Sequence, residues 1–315
     1  MYAIGIDLGG TNIKAALINR EIGIVEQTSI TTQAHLGLEA TLERIASLVR
    51  KMSDETSEPI NGVGIGAPGM ISFDRKSVQN PPNLPGWEIV ALSDEIEKRT
   101  GYKTLVENDA NLMALGSARF GAGRPFEHFI MITLGTGVGG GIIYNNRIFR
   151  GASGAAGELG HVTIDYKGAL CNSTVTGAIE GYLGQRFLSD RAAEKIRNHP
   201  ENTLFKSFNH DFEKLEPRDL SEAANRGNQL AIDILKDAGE KLGFALVNYI
   251  HTLDITKIII SGGVSKAGNW ILEPAYKTAM SQLMQPFRPS FEILPELLGN
   301  EAALLGAATL AIENL

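Results

Sequence analysis

MYAIGIDLGGTNIKAALI (residues 1–18) and FIMITLGTGVGGGIIY (residues 129–144) follow one plan. In each, an apolar, β-prone run breaks at a turn of Gly with Thr and resumes as a second apolar run, the pattern of two strands joined by a glycine hairpin. The first pair of strands spans residues 2–7 and 13–18, with LGGTN between them. The likeness is one of organisation and not of residue-by-residue identity. It points to a duplicated architectural unit, and so to two similar lobes facing each other.

Working outward, LEATLERIASLVRKM (38–52) spaces its apolar residues as a helix does, and VGIGAPG (63–69) reads as the next strand. NPPNLPGW (80–87) holds too much proline for regular structure and forms a stiff loop. Residues 92–100 form a helix ending at Gly101, and TLVEND (104–109) is a strand running out towards a site. Asp109 also suits the start of the helix that follows. Charged amphipathic stretches make 184–248 helix-rich, ITKIIISGGVS (255–265) returns to a buried strand ending at paired glycines, and 301–313 is an Ala and Leu helix carrying Gly306.

A chain of 315 residues exceeds what one core usually serves, which favours two domains. They divide as 1–117, a smaller α/β lobe, and 118–300, a larger one, with the helix at 301–315 packing back on the first. A short hinge is expected near Gly116 to Gly123. Hydrophobic residues at 43% and charged residues at 21% suit a globular chain, and no apolar run is long enough for a membrane span. The first residues form a strand-like run without a basic leader, and the single cysteine, Cys171, cannot close an internal disulfide, so a cytoplasmic location is expected. A net charge of −7 offers no footprint for nucleic acid.

Asp7 stands at a strand end, followed by Gly9, Gly10 and Thr11, whose backbone N–H groups can approach an anion. That suits phosphate and a hydrated Mg²⁺, although a capped hairpin turn would look the same. Gly135, Thr136 and Gly137 form a second donor-rich loop. It leads to another strand and not a helix, which excludes a dinucleotide-binding fingerprint. Two such loops, one per half, fit a shared nucleotide cradle. Gly262 and Gly263 could let adenosine lie against bare backbone, or could simply lead into a helix. Phosphoryl transfer to a hydroxyl needs a positioned carboxylate and little other covalent chemistry, a duty for which Asp109 is well placed. Glu158, His161 and Glu180 supply acceptors for sugar hydroxyls. Taken singly, His161 reads as a structural hydrogen-bond partner and Glu180 as a solvated helix residue.

In this order, DLGGTNIK, VGIGAPG, PNLPGW, VENDAN, LGTGVGGG, GELGH, SGGVS and LGNEAALLGAA resemble the ROK family of sugar kinases, open reading frames and repressors, within the actin-like ATPase superfamily. The glucokinase-like members are the nearest likeness. The resemblance implies a two-lobed α/β fold of the ribonuclease H-like kind, each lobe a mixed sheet flanked by helices, with the active site in the cleft. It implies ATP-dependent phosphorylation of a hexose hydroxyl, glucose to glucose 6-phosphate foremost, with an N-acetylhexosamine as the alternative substrate. Asp109 would be the catalytic base, with Gly66, Asn83, Asn108, Glu158, His161 and Glu180 binding sugar. Asp7, Gly9, Gly10, Thr11, Lys14, Gly135, Thr136, Gly137, Gly262 and Gly263 would bind ATP, and Asp7 would reach Mg²⁺ through water. The carboxylate at 109 and both glycine hairpins should meet across one crevice.

The implied partners are a hexose and ATP, with neither nucleic acid nor membrane, in a homodimer. A regulator of this family would need a DNA-binding domain ahead of Asp7, and a non-catalytic sugar-binding protein would need that machinery to have decayed. One departure stands out. Family members carry a structural zinc held by the histidine of the GELGH motif and by three cysteines in CxCGxxGC. Here the aligned stretch is CNSTVTGA (171–178), with Ser173 and Ala178 where thiolates would stand. Structural zinc sites are nearly always four-coordinate through N and S ligands, so the zinc is expected to be absent, with packing or hydrogen bonding orienting His161.

Overall fold

The computed structural model describes residues 1–208 and 211–315. The chain begins with β1 (Tyr2–Leu8), β2 (Asn12–Asn19), β3 (Gly23–Thr31), α1 (Leu38–Asp54) and β4 (Ile60–Ala67). Short strands β5 (Met70–Ile71), β6 (Val78–Gln79) and β7 (Ile89–Val90) precede α2 (Leu92–Thr100), β8 (Thr104–Asn108) and α3 (Asp109–Phe120). Next come β9 (Phe129–Leu134), β10 (Val138–Tyr144) and β11 (Arg147–Ile148), then α4 (Glu180–Leu183), α5 (Gln185–Arg197), α6 (Thr203–Phe208), α7 (Pro217–Asn225) and α8 (Gln229–Leu253). The chain closes with β12 (Lys257–Ser261), α9 (Asn269–Gln282), β13 (Glu292–Pro295) and α10 (Glu301–Asn314).

These elements form two units. The first is Met1–His128, Gly141–Gly157 and Glu296–Leu315, and the second is Phe129–Gly140 and Glu158–Pro295. The sequence places the division at 117/118; the first unit instead continues to His128 and takes in Gly141–Gly157. Hydrogen bonds explain the addition. Asn145 N donates to His128 Nδ1 at 3.0 Å, Asn146 N donates to the Glu127 carbonyl at 2.9 Å, and Arg150 donates to the carbonyls of Ser72 and Phe73.

The duplication read from the two hairpins is present in the sheet topology. One five-stranded sheet runs β3-β2-β1-β4-β8 and the other β11-β10-β9-β12-β13, the same order within each set of five. In the first, β1 pairs antiparallel with β2 and parallel with β4, and β4 pairs parallel with β8. In the second, β12 pairs parallel with both β9 and β13.

Alternation along β1 divides its side chains by size. Ile4, Ile6 and Leu8 enter the core formed with Leu42, Ile45, Leu48, Val49 and Met52 of α1, whose spacing is that of one helical face. Each such side chain contributes roughly 1.5–3 kcal/mol by leaving water. The opposite face carries Ala3 and Gly5 and receives α10. Leu304, Leu305, Ala308 and Ala311 cluster with Ala3, Ala16 and Ile18, while Ala307 and Leu310 pack on Leu112 and Leu115 of α3. The fit is close enough that a Cβ on Gly64 would overlap the Ala307 carbonyl, and one on Gly116 the Ala302 carbonyl. Gly116, placed in a hinge by the sequence, is therefore a contact between packed helices.

Besides the two-residue strands β5, β6, β7 and β11, the sequence did not show β3, β13 or α9. β3 is the outer strand of its sheet and largely exposed, β13 is only four residues long, and α9 contains Pro274. Among the described residues, no helix is long and apolar enough to cross a membrane.

Candidate functional site

In the first unit, β1, β4 and β8 are parallel, so their carboxyl ends share one edge. Asp7 is in register with Gly66, and Gly66 with Glu107, while Ala67 pairs with Asn108. Two strand spacings put Asp7 and Glu107 about 10 Å apart at Cα. The carboxyl edge of parallel strands is where ligands bind in open α/β sheets.

Asp7 Oδ2 accepts from Lys14 Nζ at 3.1 Å, from the residue directly opposite across the hairpin. The intervening turn is held from outside by Thr32, which is fully buried. Its Oγ1 donates to the Gly9 carbonyl at 2.6 Å and its N–H to the Thr11 carbonyl at 2.7 Å. Asn83 has a left-handed backbone (φ 66°) and lies against the turn, so that a Cβ on Gly10 would come 2.6 Å from Asn83 Cβ. The proline-rich loop and the first glycine turn are thereby neighbours.

Asn108, not Asp109, caps α3. Asn108 Oδ1 accepts from Ala110 N at 3.0 Å and Asn111 N at 3.2 Å, and its Nδ2 donates to the Gly69 carbonyl at 3.4 Å. Asp109 is the first residue of the helix, half-buried, and its Oδ1 accepts from Ala110 N at 2.9 Å. A Cβ on Gly66 would press on Leu112 Cδ1 of α3 at 3.1 Å and would only touch Asp109 Cα, at 3.7 Å.

Behind this edge lies an ionic group that residue spacing does not reveal. The Glu107 carboxylate is fully buried and pairs with Arg75 Nε at 3.0 Å and Arg150 Nε at 2.8 Å, the latter as an ion pair off hydrogen-bond alignment. Its Oε1 accepts from Asn108 N at 3.0 Å and Asn111 Nδ2 at 3.2 Å. Burial pushes the Arg150 guanidinium below its ordinary pKa, against the opposing pull of Glu107. Arg75, Glu107, Arg150 and Thr32 fix the predicted residues in place. Each looks like a surface polar residue until the fold brings its partner near.

In the second unit, the turns after β9 and β12 stand side by side, because Ser261 pairs in parallel with Thr133. Gly262 has φ 97° and passes so near Leu134 that a Cβ would overlap that carbonyl; Gly135 and Gly263 face open space. Gly262 therefore serves the approach of the two turns. Gly135 N donates to the Gly137 carbonyl at 3.0 Å, and Thr136 lies between them.

Glu180 begins α4 and is buried, not a solvated helix residue. Its Oε2 accepts from Val138 N at 3.2 Å, and a Cβ on Gly137 would overlap that same oxygen. His161 lies nearby, with Nε2 3.5 Å from Glu158 Oε2 and Nδ1 2.9 Å from Ser173 Oγ. One ligand atom each from His161, Cys171 and Glu180 fall within 4.8 Å of one another. This set does not fit the family's structural zinc. It offers one nitrogen and one sulfur, Ser173 Oγ bonds to both, and the third member is a carboxylate already accepting from Val138. Mg²⁺ is different: it keeps most of its waters and binds through one or two carboxylates plus phosphates, a set to which Asp7 would contribute the protein's carboxylate.

The expected site residues thus gather into two groups. Asp7, Gly9, Gly10, Thr11, Lys14, Gly66, Asn83, Asn108 and Asp109 line one sheet edge of the first unit. Gly135, Thr136, Gly137, Glu158, His161, Glu180, Gly262 and Gly263 belong to the second. A cavity of about 780 Å³ elsewhere in the first unit, lined by Arg20, Arg119 and Arg147 among others, includes none of them.

Comparison with known proteins covers the whole chain. The family model described as "ROK family" matches residues 3–314. A glucokinase from Thermotoga maritima is 34% identical over 99% of this chain and 98% of its own length. A glucokinase from Halalkalibacterium halodurans is 35% identical, covering 98% of this chain and 94% of its own. Among solved structures, a ROK family glucokinase from Streptomyces griseus in complex with glucose and AMPPNP superposes with a TM-score of 0.84 at 35% identity, covering 100% of both chains.

Proposed function

This chain belongs to the ROK family and has its actin-like ATPase fold, and on that premise we propose that it transfers the γ-phosphate of ATP to a hydroxyl of a hexose, converting glucose to glucose 6-phosphate. The observation that carries this reading is the row formed by Asp7, Gly66 and the Asn108–Asp109 pair at the carboxyl ends of three parallel strands, with Asn83 seated against the glycine turn. One edge of one sheet holds a turn suited to phosphate and a carboxylate suited to an acceptor hydroxyl. The names of the relatives, and the glucose and nucleotide analogue in the solved structure, support the same substrates.

In this reading Asp109 accepts the proton of the sugar hydroxyl as its oxygen forms a bond to the γ-phosphorus. The bond from that phosphorus to the bridging oxygen breaks, and ADP departs with the electron pair. Asn108 fixes the helix start and so the direction of Asp109. The backbone N–H groups of Gly9, Gly10 and Thr11, with Lys14, receive phosphate in the first unit; Gly135, Thr136, Gly137 and Gly263 offer the corresponding surface in the second. Mg²⁺, when bound with ATP near Asp7, supplies charge neutralisation to the phosphates. Glu158, His161, Glu180, Asn83 and the backbone at Gly66 contact the remaining sugar hydroxyls. The homodimer expected from the family resemblance is part of this reading and is tested by sedimentation at working concentration.

The test is ADP release with ATP and a panel of glucose, N-acetylglucosamine and N-acetylmannosamine, with and without Asp109→Ala. Glucose should give the largest kcat/KM. Asp109→Ala should lower kcat about 10²- to 10⁴-fold while sugar binding persists. A variant with undiminished kcat would remove Asp109 from this role, and sugar-independent ADP release at the same rate would remove the kinase assignment.

A further inference from the structure

His161 is held twice over, once by its backbone and once by its ring. The backbone hold comes from the turn at Leu159–His161: His161 N donates to the Glu158 carbonyl at 3.1 Å, and Tyr249 Oη donates to the Leu159 carbonyl at 2.6 Å. Tyr249 is deeply buried, which raises its phenol well above its ordinary pKa and keeps it a donor. The ring hold comes from the loop after Leu170. Ser173 Oγ lies 2.9 Å from His161 Nδ1 and 3.0 Å from Cys171 Sγ, while Sγ itself is 3.9 Å from Nδ1. That loop is closed by Cys171 N donating to the Val175 carbonyl at 3.1 Å and Thr174 N donating to the Cys171 carbonyl at 3.0 Å.

We infer that Ser173 is a positioning residue, which fixes His161 in one ring orientation and one tautomer through hydrogen bonds to Nδ1 and Cys171 Sγ, with no metal ion. Donors and acceptors must match along the chain of contacts. A neutral imidazole has one N–H and one bare nitrogen, and a carboxylate only accepts. Nε2 lies 3.5 Å from Glu158 Oε2, too long for an ordinary hydrogen bond but on the side of a negative charge, which favours the proton on Nε2. Nδ1 is then the acceptor and takes the Ser173 hydroxyl proton, and the oxygen of Ser173 in turn accepts from the Cys171 thiol. Each group then makes the bond its chemistry permits. A zinc ion would need the Nδ1 lone pair, which this arrangement gives to the Ser173 hydroxyl, and a Cys171 thiolate in place of the thiol that donates to Ser173.

The consequence is that His161 presents Nε2–H as a fixed donor. In the sugar site proposed above it meets a hydroxyl oxygen; that one step rests on the assignment of His161 to the sugar, whereas the tautomer and the metal content do not. The experiment uses full-length protein labelled with ¹⁵N-histidine, long-range ¹⁵N–¹H correlation spectra, and elemental analysis. The parent protein should show the Nε2–H tautomer at His161 and substoichiometric zinc, with activity unchanged after treatment with a chelator and restoration of Mg²⁺. Ser173→Ala should lose the single tautomer, and Ser173→Thr, which keeps the hydroxyl at an exposed position, should regain it; circular dichroism confirms that both fold.

Loss of one such hydrogen bond should raise the hexose KM about five- to tenfold with kcat little changed. One tightly held zinc per chain whose removal abolishes activity would overturn the inference, as would an Nδ1–H tautomer or a Ser173→Ala spectrum identical to the parent. If the tautomer is lost in Ser173→Ala while the hexose KM stays the same, the hydrogen-bonded clasp stands and His161 leaves the sugar site.

Discussion

Replacing Glu107 by Gln tests what holds the end of β8. The substitution keeps the shape and one acceptor oxygen, so Asn108 N and Asn111 Nδ2 retain a partner, but it removes the counter-charge of two arginines. Arg150 is 9% exposed and its Nε already lacks an aligned acceptor among the described residues; Arg75, at 20%, can recover part of its hydration. Breaking a buried ion pair from one side costs about 3–5 kcal/mol because a charge stays behind unpaired. The retained hydrogen bonds and the partial exposure of Arg75 place Glu107→Gln near the lower end, about 3 kcal/mol. That corresponds to a melting temperature lower by about 6–10 °C for a chain of this class. Urea unfolding followed by circular dichroism reads the stability, and steady-state kinetics read the consequence at Asn108–Asp109, where displacement of reacting groups can cost up to about 10²-fold in rate. Adding Arg150→Met to Glu107→Gln removes the stranded charge, so the double variant should be more stable than the sum of the singles by about 1–3 kcal/mol. A loss below about 1 kcal/mol for Glu107→Gln, or strict additivity in the double variant, would refute the ionic account.

Gly10→Ala places a Cβ 2.6 Å from Asn83 Cβ. Overpacking of this size costs about 1–3 kcal/mol and should appear as a melting temperature lower by about 2–10 °C together with raised KM values for ATP and hexose; unchanged KM values would separate the two loops functionally. For Asp237, burial opposes ionisation, but hydrogen bonds and charge from Lys241 and Lys195 outweigh it and hold the carboxyl below its ordinary pKa of 3.8. A depressed folded pKa stabilises the protein above the unfolded pKa, and the contribution is lost as pH falls through the folded value. Asp237→Asn should therefore cost less than about 1 kcal/mol near neutrality, given the half-exposed carboxylate, and nothing in strong acid. Equal destabilisation at both pH values would contradict this sign.

The sequence disclosed the parts of the fold whose residues act locally. Both hairpins were legible because strand, glycine turn and strand are contiguous, and α1 because its apolar spacing is undisturbed. β3 escaped because an exposed outer strand, GIVEQTSIT, has little reason to alternate in hydrophobicity. α9 escaped because Pro274 interrupts the expected helical signal. Asp109 was found by its place at a strand end, yet the exchange of cap between Asp109 and Asn108 is settled only by backbone geometry. Pairings such as Glu107 with Arg150, or Ser173 with His161, join residues far apart along the chain, where a polar side chain gives no sign of its partner. Gly116 illustrates the converse: its lack of a side chain is equally useful for bending and for close approach, and here α10 uses it for the latter.

The return of α10 to the first unit sets an order on biosynthesis. Ala3, Ala16 and Ile18 are synthesised well before Leu304, Leu305, Ala308 and Ala311, which cover them. Until α10 is made, one side of that sheet stays open to water and to other nascent chains, a period in which holding factors would have a target. This sheet is thus made long before its cover is.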